Sequence, residues 1–326
     1  MHTVLELTDR INNSINTLPL DKEPKGLYNP ISYVLSLGGK RVRPVLMLLA
    51  YNMYKEHIDD KVIRVALAIE TYHNFTLLHD DLMDCADERR GNKTVHKVWN
   101  DNVAILSGDA MLILAYQYLS QIDEPKYLSL IFPEFSKFAL EICEGQQYDM
   151  EFEERMDVTA GEYLEMIKLK TSVLLAGSMK IGGILADASE EDQALLYNIG
   201  LYTGLAFQLR DDLLDVYGDP KLFGKKIGKD IISNKKTYLM IKAFEKANEK
   251  QRKELSHWIG LKDFSSDEKI VAITAIYNEL SIQSVVEEKM NFFYNQALMN
   301  LEKVNTDSGR KKQLKLFLNQ LMNREV

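Results

Sequence analysis

Apolar residues recur at helical spacing along nearly the whole chain. Val4, Leu7, Ile11, Ile15 and Leu18 fall on one helical face. Pro19 and Pro24 break that helix, Pro30 suits the first turn of the next, and Gly38-Gly39 ends it. Pro44 opens a third by the same logic. Asp59-Asp60 caps a long helix running to about Met83. Thr159-Ala160-Gly161-Glu162 reads as a capping box ahead of another long pattern, and Ser189 opens one that reaches Tyr217. No proline follows Pro220, and the last third is amphipathic helix to the end. Strand signals, meaning β-branched runs of period two between turns, are essentially absent. No stretch reads as a Pro-, Gly- or Ser-rich linker. The pattern predicts an all-α chain folded as a single domain over residues 1–326. The segment from Val103 to Leu119 is apolar on most sides, which predicts burial at the centre of a bundle or against a second subunit.

Composition narrows the class. Apolar residues make up 46% and charged residues 27%, the balance of a globular protein. No run of 18 apolar residues occurs, so no transmembrane segment is expected. The first ten residues carry acidic side chains and no apolar core, unlike a secretory signal. Two cysteines, Cys85 and Cys143, make no disulfide framework, so a reducing cytoplasm is expected. No Cys/His spacing suits zinc. The net charge of −8 argues against nucleic acid as a partner. It suits an anionic substrate only if acidic clusters hold cations and basic residues gather around them.

Two such clusters exist: Asp80-Asp81-Leu82-Met83-Asp84 and Asp211-Asp212-Leu213-Leu214-Asp215. In a helix, residues four apart share a face, so Asp80 points with Asp84 and Asp211 with Asp215. Like charges so placed destabilise a bare helix by about 0.2–0.5 kcal/mol per pair. A solvated acidic surface is the bland explanation. A cation between the carboxylates is the functional one, and Mg²⁺ suits a few carboxylates plus phosphate oxygens and water. Two clusters facing each other would clamp a diphosphate through several ions. The alternating Asp and central Gly of a calcium loop are missing from both. Gly38-Gly39-Lys40-Arg41-Val42-Arg43-Pro44 adds three cations at a helix junction, a natural anion site. His73 lies two turns before Asp80 on the same face. With Lys40, Arg43 and Arg90 it could complete a second phosphate pocket.

These motifs, with Arg89-Arg90-Gly91, Lys170-Thr171, Phe207-Gln208-Leu209-Arg210, Gly224-Lys225-Lys226-Ile227-Gly228-Lys229-Asp230 and Asn234-Lys235-Lys236, follow one another over residues 38–239. In that order they resemble a trans-isoprenyl diphosphate synthase of the polyprenyl synthetase family. The resemblance implies one polyprenyl synthetase domain, a large helical bundle of the isoprenoid synthase type around a central active-site cavity, and a homodimer. It implies a prenyltransferase condensing isopentenyl diphosphate with allylic diphosphates. Asp80, Asp84 and Asp211 would ligate Mg²⁺, three ions with diphosphate bound, while Asp81, Asp212 and Asp215 act through water or support the ligands. Arg89, Lys170, Lys235 and Lys225, preferred over Lys226, would bind the allylic diphosphate. Lys40, Arg43, His73 and Arg90 would hold isopentenyl diphosphate. Thr171 and Gln208 would stabilise the developing carbocation.

The growing chain should run along the helix carrying Asp80. Phe75 lies about 7–8 Å back along its axis and Tyr72 about 12 Å, with small Thr76 between Phe75 and Asp80. A bulky floor at 72 and 75 favours a short product. An aromatic five residues upstream resembles geranylgeranyl diphosphate synthases more than farnesyl diphosphate synthases, which remain the alternative. Both rings could equally be ordinary core. A terpene cyclase would need no second diphosphate pocket. A non-catalytic prenyl-diphosphate-binding subunit should have lost part of the metal or basic set, and here the set is whole.

Overall fold

The computed structural model describes residues 1–218 and 227–323. It opens with α1 (Val4–Asn16), α2 (Lys25–Ser36), α3 (Val42–Asn52) and α4 (Asp60–Met83). A strand pair, β1 (Glu88–Arg89) and β2 (Asn92–Lys93), then leads to α5 (Val95–Val98), α6 (Asp101–Ser120) and α7 (Pro125–Glu154). Next come α8 (Ala160–Ile167), a π-helical turn (Lys168–Ser172), α9 (Val173–Leu185) and α10 (Glu190–Tyr217). The described chain closes with α11 (Lys229–Ile232), α12 (Tyr238–Lys246), α13 (Glu249–Gly260), α14 (Ser266–Glu279), α15 (Ile282–Lys303) and α16 (Ser308–Met322). The all-α expectation therefore holds.

The expected caps form. Asp59 accepts the Val62 amide at 3.0 Å. The Thr159–Glu162 box opens α8. Ser189 accepts the Asp192 amide at 3.1 Å as α10 begins. Each bonds an N–H that a first turn leaves without an intrahelical partner.

Three local expectations need correction. Pro30 does not start α2: the helix begins at Lys25, with Pro24 as its extended N-cap, and Pro30 lies buried inside. Its missing N–H removes one bond of the ladder, which the remaining turns tolerate. The strand pair was not expected. It is antiparallel, Glu88 opposite Lys93 and Arg89 opposite Asn92, around an Arg90-Gly91 turn with φ of 54° and 73°. Positive φ at both central positions is the tight hairpin geometry, here with arginine where Asn or Gly is usual. Third, of the two alternatives for α6, burial on all sides at the centre of a bundle does not hold, while a face toward a second subunit stays open. It buries Ala104, Gly108, Met111 and Ala115 against its neighbours but leaves Ile105, Leu106 and Ile113 44%, 60% and 57% exposed. By length and composition α6 could cross a membrane; a helix with one core-facing side passes the same test.

Two compact units divide the chain, with boundaries inside α7, α9, α10 and α16. The first holds Met1–Phe135, Ser178–Ala194 and Asn305–Leu314. Its core is α3 and α4: Val45 through Ala50 are wholly buried, as are Val65, Ala66, Ala68 and Ile69. α2, α3 and α6 pack on α4. Gly182 of α9 lets that helix press on α3, where a Cβ would overlap the Met47 carbonyl oxygen. The second unit holds Ser136–Gly177, Leu195–Val304 and the chain from Lys315 on. There α12 packs against α8, α14 and α15, and α11 packs against α14.

Candidate active site

Both aspartate clusters sit at the C-terminal ends of long helices. Asp80 and Asp81 occupy the last turn of α4, and Asp84 is its C-cap, with its amide donating to the Asp80 carbonyl at 2.8 Å. Asp211, Asp212 and Asp215 occupy the last two turns of α10. A helix C-terminus carries about half a negative charge, so an exposed carboxylate there is unfavourable by about 0.3–1 kcal/mol. Neither end carries a basic residue in its last turn. Placement against both the dipole and like charge calls for cations.

In the first unit the cations come from a loop and the hairpin. Arg89 grips Asp81 through Nε, 2.8 and 2.7 Å from the two carboxylate oxygens. Arg90, in its left-handed turn, lays its guanidinium on the Gly38 carbonyl. Gly39, at φ 133°, leaves room for it: a Cβ there would come within 2.8 Å of the Arg90 guanidinium carbon. The segment from Gly38 to Pro44 splits its cations. Lys40 is exposed. Arg41 turns inward at φ 48°, is 5% exposed, and donates to Asn12 (2.9 Å), Glu70 (2.7 Å) and the Leu35 carbonyl (2.9 Å). Arg43 donates from NH1 to His73 Nε2 at 2.9 Å, so that nitrogen is the imidazole's acceptor. Burial, then the charges of Arg43, Arg90, Arg89 and Arg41, hold the His73 pKa well below that of an ordinary histidine. Arg43 and Arg90 thus lie with His73 in one neighbourhood around a neutral imidazole, and of Lys40 only its exposure is shown.

The lining proposed for the product is aromatic. Phe75 packs edge-on to His79 (4.8 Å between centroids) and at 5.5 Å to Tyr72. Tyr72, 1% exposed, packs on Phe135 at 5.4 Å. Thr76 donates its hydroxyl to the His73 carbonyl.

In the second unit, the π turn carries Lys170 and Thr171. Such turns inside α-helices recur at functional sites. Two glycines admit it: a Cβ at Gly145 of α7 would overlap the Lys170 backbone, and one at Gly204 of α10 would overlap Ser172. One turn beyond Gly145, Asp149 accepts from Lys170 Nζ at 2.7 Å, with Lys235 Nζ at 3.5 Å. Burial raises the Asp149 pKa, but Lys235 and Lys170 outweigh it, and the carboxyl titrates below the usual range. Thr171 donates to Gln208 Oε1 (3.1 Å), and Gln208 donates to Asp212 (3.1 Å). Asp212 also accepts from the buried Tyr163 hydroxyl. Burial, with the charge of Asp230 added, pushes the Asp212 pKa up to about 7 against those two hydrogen bonds. Asp215 accepts the Asp230 amide at 3.0 Å, which fastens the start of α11 to the end of α10.

The three supporting aspartates therefore each have a protein partner: Asp81 has Arg89, Asp212 has Tyr163 and Gln208, and Asp215 has the Asp230 amide. Asp80, Asp84 and Asp211 are the carboxylates for which the motif resemblance implies a metal. Among the described residues no three His, Cys, Asp or Glu side chains form a ready-made cage. That all-oxygen, sparsely protein-liganded set fits Mg²⁺, which takes one or two carboxylates and completes its shell with water and phosphate. Lys225 and Lys226 lie outside the described residues. Arg41, expected with Lys40 and Arg43 at an anion site, is instead buried on Glu70, and Asp149, Tyr163 and Glu70 were not among the expected residues. Only Asp149 carried a signal, the glycine four residues earlier on its own face.

Against known proteins, the polyprenyl synthetase family profile matches residues 24–277. A short chain isoprenyl diphosphate synthase of Methanocaldococcus jannaschii is 41% identical over 262 residues, 80% of this chain and 79% of that one. A geranylfarnesyl diphosphate synthase of Aeropyrum pernix is 35% identical over 307 residues, 92% of this chain and 95% of that one. Among solved structures, a geranylgeranyl pyrophosphate synthase superposes with a TM-score of 0.95 at 42% identity, covering 100% of both chains. An all-α isoprenoid synthase fold and these relatives define a prenyltransferase. The chain belongs to the polyprenyl synthetase family and is a trans-isoprenyl diphosphate synthase.

The His73 geometry has a pH consequence. Its folded pKa is depressed, so the unfolded chain takes up this proton first. Stability attributable to the neutral imidazole is present above about pH 6.5 and is lost as pH falls below it. His73→Gln keeps an acceptor for Arg43. Its melting temperature should fall less than wild type's between pH 7 and pH 5.5, and parallel curves would show that His73 titrates as in an open chain.

Proposed function

We propose that this enzyme catalyses the Mg²⁺-dependent head-to-tail (1′-4) condensation of isopentenyl diphosphate with allylic diphosphates, giving geranylgeranyl diphosphate. The observation that carries the reading is the placement of both aspartate clusters at helix C-termini, each near its own cations. Asp80, Asp84 and Asp211 hold the metal for the allylic diphosphate, in a chain that works as a single catalytic domain. Bound Mg²⁺ supplies positive charge to the diphosphate oxygens as the leaving group departs. Arg89, Lys170, Lys235 and Lys225 bind that leaving group and stabilise its growing charge more than the ground state's. Lys40, Arg43, His73 and Arg90 orient isopentenyl diphosphate so that its alkene faces the allylic carbon. Thr171 and Gln208 turn oxygen dipoles toward the cation. No side chain in the set is an obvious base, so the proton lost from the new cation goes to the departed diphosphate. Asp80→Ala and Asp211→Ala should each lower turnover by about a hundredfold or more with the helical spectrum unchanged; near-normal turnover in both would refute the metal assignment.

For product length, the packed rings of Phe75 and Tyr72 support a floor a few turns from the metal ligands, with Thr76 leaving room above it. Product analysis of the wild type separates geranylgeranyl from farnesyl and geranylfarnesyl diphosphate. Phe75→Ala with Tyr72→Ala should shift products to longer chains; an unchanged distribution places the ruler on another wall.

The exposed apolar side of α6, with Leu130 and Phe132 of α7 also 47% and 44% exposed, supports a homodimer. Sedimentation equilibrium should give twice the chain mass, and Leu106→Asp should shift it toward the monomer; a wild-type monomer would end this reading. Unpaired thiols at Cys85 and Cys143 support a cytoplasmic location, which cell fractionation checks.

A further inference from the structure

Lys269 of α14 is 0% exposed, and among the described residues its ammonium meets no carboxylate. Burying an ammonium without an ionic partner is expensive. Its contacts are instead the Ile232 carbonyl at 3.2 Å, Asn234 Oδ1 at 2.7 Å, and the Phe264 ring, 4.1 Å from the centroid. The first two lie at the end of α11. Asn234 there is left-handed, φ 57°, a conformation that Asn tolerates. Its amide is used at both ends, since Nδ2 donates to the Ile259 carbonyl at 3.2 Å. Next along the chain is Lys235, whose amide donates to the Asp230 carbonyl at 2.9 Å and whose ammonium is 3.5 Å from Asp149. Ile270, beside Lys269, occupies the space a Cβ at Gly228 would need at the other end of α11. Two consecutive residues of α14 thus brace α11 at both ends.

We propose that Lys269 is a positioning residue for Lys235: its buried ammonium locks the left-handed turn at Asn234 and so fixes where the Lys235 side chain starts. The kinetic half of the proposal rests on the reading of Lys235 as a ligand of the allylic diphosphate; the structural half does not. A side chain of fixed origin loses less freedom on gripping an anion, which is the advantage of preorganisation.

The test uses the full-length enzyme. Lys269→Met removes the ammonium and keeps most of the volume. Amide exchange at Lys235, and at Thr237 whose amide donates to the Lys235 carbonyl at 2.9 Å, should accelerate about tenfold or more, as expected when a charged hydrogen bond is lost. The KM for the allylic diphosphate should rise about tenfold, with the KM for isopentenyl diphosphate unmoved. In a Lys235→Ala background the same substitution should change the allylic KM less than about twofold, because the two residues act as one unit. An equal rise in that background, or unchanged exchange at both amides, overturns the proposal. Asn234→Gly keeps the left-handed turn while deleting the acceptor, and it carries the same expectations where Lys269→Met does not fold. Should the wild type elongate no allylic diphosphate, the functional reading fails, and amide exchange alone decides the positioning role.

Discussion

Concentrated negative charge at two helix C-termini is the constraint around which the rest of the site is arranged. Three carboxylates within five residues, added to the helix dipole, oppose folding at each end. The protein relieves part of this itself. Arg89 takes Asp81 through two short contacts, and the Asp230 amide takes one oxygen of Asp215. Asp212 is relieved differently. Burial favours its protonated form near neutrality, while Tyr163 and Gln208 satisfy its oxygens. One aspartate of the first cluster and two of the second thereby become scaffold. Asp80, Asp84 and Asp211 are the carboxylates proposed to hold the metal.

The cations near the second cluster are placed by backbone geometry more than by their own flexibility. Lys170 sits on a π turn that exists where Gly145 and Gly204 let flanking helices close in. Asp149 then holds Lys170 and draws on Lys235. A lysine on a bare helix would sweep a wide arc and lose much of that freedom on binding an anion. Here part of the ordering is built into the fold, which the proposed role of these lysines at the leaving group would use.

Legibility in the sequence followed the range of each interaction. Caps at Asp59, Thr159 and Ser189 were readable because donor and acceptor lie within three residues. Both clusters, the Gly38–Pro44 segment, and the Lys170-Thr171 and Gln208 positions were readable because residue type and order carry them. Pro30 misled, since a proline favours a first turn yet survives inside a helix whose other bonds suffice. The hairpin escaped notice because Arg90-Gly91 is an unusual pair for that turn. Glu70, Tyr163 and Lys269 were silent, and the inward turn of Arg41 was too. Each owes its role to a partner distant in sequence, and no periodicity marks which charged side chain will turn inward.

Arg41 shows why that last distinction matters. Arg41 and Arg43 flank one valine, and by composition either could face an anion. The left-handed backbone at Arg41 turns its guanidinium into the core, where Asn12, Glu70 and the Leu35 carbonyl take up its fork. Asn74 also donates to Glu70, at 2.9 Å, so the acceptor is held from a second side on α4. Removing either member of such a buried pair strands a charge and costs about 3–5 kcal/mol, far more than an exposed pair contributes. That penalty fixes the loop to α4, and α4 also carries His73 and Asp80. Arg43, two residues on, inherits the fixed frame and reaches His73. With one arginine buried, the other starts from a rigid base, which its proposed role toward isopentenyl diphosphate would use.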